Sequence, residues 1–184
     1  MDDVLGAVFL VGVRVALGAV FVVAGIAKAR AGHARFLSAL LGYEILRGRG
    51  AAALARALPP FEIATGAALV LGIAFPAMPT LAIAMLVMFI GALTTSLVAG
   101  RGNACGCGEG LAPVKWGLVR RDAVMLSGAI VLAIAGPGPL TLAATTSDAA
   151  APFARLTGVA LLFSLALVTR VSLSLGPRRV AAGP

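Results

Sequence analysis

Five stretches of about twenty residues run almost without charge, around residues 4–27, 59–75, 80–99, 119–135 and 153–175. A helix crossing a bilayer needs ~20 mainly apolar residues, so this one feature restricts the chain to a lipid-embedded fold. Composition agrees, because 60% hydrophobic residues, 12% charged residues and a mean hydropathy of +1.05 lie outside the soluble range. The expected fold is all-α: an integral membrane helical bundle with four core transmembrane helices and a fifth, forming one domain over residues 1–184. The second and third spans form a tight pair, joined where Pro76 and Pro79 interrupt the helical pattern. Arg155 and Arg170 flank the fifth span and would have to snorkel to its ends. The first run reads as an uncleaved helix, since Asp2 and Asp3 stand where a secretory signal carries basic residues and Arg14 interrupts the run.

The formal charge is +8, from 15 Lys+Arg against 7 Asp+Glu. In a soluble protein that surplus would suggest nucleic acid; here its distribution answers to the membrane instead. Lys28, Arg30, Arg35, Arg47, Arg49 and Arg56 fall in the first connection, and Arg101, Lys115, Arg120 and Arg121 in the third. Arg170, Arg178 and Arg179 stand at the C-terminal end, while Asp2, Asp3 and Asp148 fall on the alternate side. The positive-inside rule then places the N-terminus outside and both the third connection and the C-terminus in the cytoplasm. Lipid is the implied partner and no nucleic acid is. Residues 33–57 carry Phe36, Leu37, Leu40, Leu41, Ile45 and Leu46 at helical spacing among arginines, which predicts an interfacial amphipathic helix. Such a helix either covers the third connection as a lid or only anchors at the membrane surface.

That third connection, residues 100–118, holds the only two cysteines, Cys105 and Cys107, separated by Gly106 in a glycine-rich run. A disulfide between residues i and i+2 closes a loop too small to constrain the unfolded chain, near the limit of the ~4.4–6.8 Å Cα separations that disulfides allow. It would be strained and easily reduced, poor as a staple and suited to a redox couple. Gly106 lets the backbone fold tightly enough to bring the sulfurs together. A zinc site within one chain is not expected, because two thiols and one distant His33 fall short of four ligands. Cu(I), which favours soft sulfur, remains open for Cys105 and Cys107. Arg101, Arg120 and Arg121 would favour the attacking thiolate if they approach it, although their topogenic role explains them equally well.

Four polar residues in or beside the spans are further candidates. Arg14 lies deep in the first span, where a charge is costly and a functional role is the default reading. Glu62 is a tempting partner, but Arg14 stands about 21 Å of helix from the inner end near Lys28, whereas Glu62 follows Pro59 closely. Glu62 and Asp122 both read as shallow carboxylates just inside helix N-termini, favoured there by the helix dipole, with proton transfer to a quinone or a thiolate as the functional alternative. Trp116 suits an interfacial anchor.

The series Arg14, Gly18, Phe21, Gly25, Lys28, Phe36, Tyr43, Pro59, Glu62 and Gly66, then Cys105-Gly106-Cys107, Trp116, Arg120 and Asp122, resembles the methylamine-utilisation MauE family, related to DoxX-like membrane proteins. The resemblance runs from the first helix to the fourth. It implies a bacterial inner-membrane bundle that works with a thioredoxin-like partner and supports maturation of another, disulfide-rich protein. Gly108 stands where many relatives carry an aromatic residue. Thiols on the cytoplasmic side sit awkwardly with a disulfide-making partner outside, so either the loop is reached from both sides or reducing equivalents flow outward. The leading expectation is a thiol-disulfide redox protein in which Cys105 and Cys107 exchange electrons with a partner protein or a quinone. The alternatives are a non-catalytic membrane subunit that assembles a larger complex through small-residue faces such as Gly66 or Gly91, and a Cu(I)-binding membrane protein.

Overall fold

The computed structural model describes residues 2–45, 47–75, 77–100 and 115–136. Five α-helices and no strand occur among them: α1 (Asp2–Ala31), α2 (His33–Gly42), α3 (Gly48–Leu71), α4 (Ala77–Val98) and α5 (Trp116–Ala135). Three of these, α1, α3 and α4, are long and apolar enough to cross a membrane. The helix at the expected fourth span, α5, has three charges in its first two turns, Arg120, Arg121 and Asp122, and is not among those three. The expected fifth span lies outside the described residues.

Local rules explain most helix boundaries and fail instructively at one. Gly32, at φ 84°, separates α1 from α2 in a left-handed conformation that a side chain would resist. Gly72, at φ 68°, closes α3: its N–H donates to Leu69 O at 3.1 Å and the Ile73 N–H donates to Ala68 O at 3.0 Å, the pairing of a Schellman end. Pro79 does not delay α4, which begins at Ala77, because N–H groups of a first turn have no intrahelical acceptor to lose. The helix of the second span, expected from about residue 59, instead begins at Gly48 and continues through Pro59 and Pro60. Both prolines keep a helical φ, and tertiary packing holds the turn they weaken, since Pro59 is buried. Residues 33–57 are therefore not one amphipathic helix. They divide into α2, with Phe36 buried, and the first turns of α3, with Ala51 and Ala55 buried.

The most extensive packing is α1 on α3, followed by α4 on α5; α1 also touches α5, and α2 lies across α3 and α1. Glycine makes the first contact possible. A Cβ on Gly66 would stand 2.5 Å from Gly18 O and 2.8 Å from Val22 N, and one on Gly25 would stand 2.8 Å from Pro59 O. Residue 18 thus lies opposite 66, and residue 25 opposite 59, so the two helices run antiparallel. Leu17, Phe21, Leu58, Leu69, Met85 and Leu132 form part of one buried apolar cluster spanning α1, α3, α4 and α5. The outer faces stay apolar as well: Val4, Leu5, Val8 and Phe9 of α1 and Val124 and Ile134 of α5 are exposed, as a lipid-facing surface requires.

Candidate functional site

Charges occupy the interior of this apolar bundle. Arg14, Lys28, Glu62 and Asp122 are each at most 3% exposed, two cations and two anions whose formal charges cancel. Burial of that kind is costly unless each charge is matched. Their positions follow from helical register. On α1, residues 14, 18, 21, 25 and 28 recur at alternating steps of four and three and are all buried; on α3, residues 55, 58, 62, 65 and 69 do the same. When the two faces meet antiparallel, Gly25 comes against Glu62, where an added Cβ would stand 3.0 Å from the Glu62 Cβ, and Lys28, three residues further along α1, reaches back to the carboxylate.

The ammonium of Lys28 donates to both carboxylate oxygens of Glu62, at 2.7 Å to Oε1 and 2.8 Å to Oε2. It also stands 5.4 Å from the centre of the Phe89 ring on α4, within the range of a cation-π contact. Asp122 of α5 is close enough to act electrostatically on Glu62. Lys28 of α1 thus ties together α3 and α4, and Asp122 of α5 acts on the same carboxylate. Asp122 in turn accepts from its neighbour Arg121, at 3.0 Å from Nε and 2.8 Å from Nη2, and the arginine reaches it from a half-exposed position.

These contacts correct the shallow-carboxylate expectation. Because α3 begins at Gly48, Glu62 stands in mid-helix, beyond the reach of the N-terminal dipole, and Lys28 rather than Arg14 holds it. Asp122 is the seventh residue of α5 and is buried, two turns in from the helix start. Lys28, read from the sequence as one of several topogenic cations, belongs to α1 and to its buried face. The available signal was its register with Gly18, Phe21 and Gly25; adjacency to Arg30 masked it. Sequence reasoning also passed over Phe89 and Thr65, the latter 1% exposed on the face of α3 that carries Glu62.

Cys105, Gly106, Cys107 and Arg101 lie outside the described residues. The helix ends that flank them are described. Tyr43 and Leu93, both buried, pack with Ile45, Ala92, Leu97, Leu118 and Val119. This cluster joins the turn after α2 to the last turns of α4 and the first turn of α5, so the two ends of the cysteine-bearing connection and the α2–α3 turn share one end of the bundle. Arg30, Arg35, Arg47, Arg49, Arg56, Lys115 and Arg120 are exposed at that same end. Trp116, at the start of α5, is 60% exposed, while Arg14 is buried on the stretch of α1 where Val13 lies against Gly128 of α5. Gly66, expected as a face for a second subunit, is already occupied by α1 of the same chain. Among the described residues no group of three or more metal-ligating side chains occurs.

An all-helical apolar bundle closed around a charge-balanced interior defines the chain as a membrane protein. Its sequence matches the family of the methylamine utilisation protein MauE over residues 6–135, and the chain belongs to that family. The match takes in nearly all of the five helices and the connection that carries both cysteines. No curated protein and no solved structure matches the chain.

Proposed function

We propose that the chain is a thiol-disulfide redox protein of the bacterial inner membrane, in which Cys105 and Cys107 alternate between dithiol and disulfide. Membership of the MauE family supports the reading. The observation that carries it is the fixed geometry around the connection: Leu97 on one side and Leu118 and Val119 on the other are packed together through Tyr43 and Leu93. A bond between thiols one residue apart is strained and exchange-prone, and the packed helix ends fix the end of the bundle from which the cysteine-bearing segment leaves and returns. Oxidation of the pair passes two electrons to an acceptor, either the disulfide of a thioredoxin-like partner, which is reduced to its dithiol, or a quinone, which is reduced to the quinol. With one cysteine pair the chain relays electrons only between such partners. The basic end would face the cytoplasm, with the first residues of α1 outside.

The test is the double variant Cys105→Ser/Cys107→Ser, assayed in membranes for the redox state of the partner's thiols. Loss of partner turnover with normal accumulation of the variant is expected. Full turnover in the variant would refute the reading and leave an assembly subunit as the better description.

A further inference from the structure

The hydroxyl of Thr65 is the feature that neither the ion pair nor the proposed redox role uses. Its Oγ1 is buried in the bundle and makes no hydrogen bond among the described residues. Such groups are rare in close-packed interiors, and each calls for an account. Thr65 follows Glu62 by three residues on α3, so the two side chains share a helix face about 5–6 Å apart at Cβ. The hydroxyl therefore borders the point where Lys28, Glu62 and the field of Asp122 meet.

We infer that Thr65, beside the Lys28–Glu62 pair, is a binding position for a neutral oxygen ligand that hydrogen-bonds its hydroxyl: a quinone carbonyl or an ordered internal water. Neutrality follows from pairing, because Glu62 is held by Lys28 and Asp122 by Arg121, so an added net charge in this low-dielectric interior would find no free counter-charge in either pair. A metal cation is disfavoured for the same reason, both carboxylates being committed, Glu62 to Lys28 and Asp122 to Arg121. A hydroxyl among apolar walls and a fixed ammonium-carboxylate pair offers a donor that neither partner of the pair satisfies. The quinone form of the ligand rests on the proposed redox role; the water form does not.

The experiment uses thermal unfolding of the full chain in mild detergent, in both the native sequence and the Cys105→Ser/Cys107→Ser background, so that failure of the redox role leaves this test intact. Thr65→Val keeps the branched shape and removes only the oxygen. An unused hydroxyl, or one that merely turned back to a carbonyl of its own helix, would make that change neutral or stabilising. A ligand-bonded hydroxyl reverses the sign, and loss of one such bond lowers the midpoint by about 2–4 °C. If a short-chain ubiquinone raises the midpoint of the native sequence and of Thr65→Ser but not of Thr65→Val, the ligand is a quinone. If Thr65→Val is destabilised and ubiquinone shifts none of the three, it is water. A Thr65→Val midpoint equal to or above that of the native sequence overturns the inference.

Discussion

Replacing Lys28 by methionine keeps much of the side-chain volume but leaves the Glu62 carboxylate, 0% exposed in mid-helix, without its counterion. Glu62→Met strands Lys28 instead. Breaking a buried pair from one side costs about 3–5 kcal/mol, because the remaining charge has lost both its solvent and its partner. The two halves are not equivalent here. Lys28 stands three residues from the end of α1 and has a four-carbon stem that can carry its charge toward the interface, whereas Glu62 is short and central. Lys28→Met should therefore cost about 5 kcal/mol and Glu62→Met about 3 kcal/mol, the two ends of the range for a broken pair. At roughly 2–4 °C per kcal/mol, the midpoints fall by about 10–20 °C and 6–12 °C. The double variant Lys28→Met/Glu62→Met buries no charge from the pair, and flexible thioether side chains fill irregular space well, so it should return to within about 1–2 kcal/mol of the native protein. The assay is thermal unfolding of the purified chain in detergent, read as a double-mutant cycle. A double variant as unstable as the sum of the singles, or a larger loss for Glu62→Met than for Lys28→Met, would refute the reasoning.

The α1–α3 crossing makes an independent prediction. Gly66→Ala, whose new methyl would meet Gly18 O at 2.5 Å, should lower the unfolding midpoint steeply, whereas Gly12→Ala, with nothing within 4 Å, should match or exceed the native protein through helix propensity worth about 1 kcal/mol. Equal effects of the two changes would show that the close approach of the helices is not what these glycines provide. For orientation, a membrane-impermeant maleimide should label Cys105 and Cys107 in inverted vesicles and leave them unlabelled in intact cells; the opposite pattern would place the basic end outside.

Apolarity of bilayer length was legible from the sequence because it is a local property: α1, α3 and α4 are where stretches of bilayer length stay apolar on average despite an occasional charge, and such stretches require helices. The gathering of Arg30, Arg35, Arg47, Lys115 and Arg120 at one end was legible for the same reason, since alternate loops of an up-and-down bundle must share a face. The start of α3 was not, because proline breaks a helix by a local rule that packing of Pro59 against α1 overrides. Nor was the choice of Lys28 over Arg14 as the partner of Glu62. That choice depends on the register of two antiparallel helices, which seats Gly18 against Gly66 and Gly25 against Glu62, so that Lys28, three residues beyond Gly25, reaches back to the carboxylate. Hydropathy thus determined that these segments enter the membrane. Which buried charges neutralise one another was decided only in three dimensions, because an ion pair depends on a distance between helices that no single segment encodes.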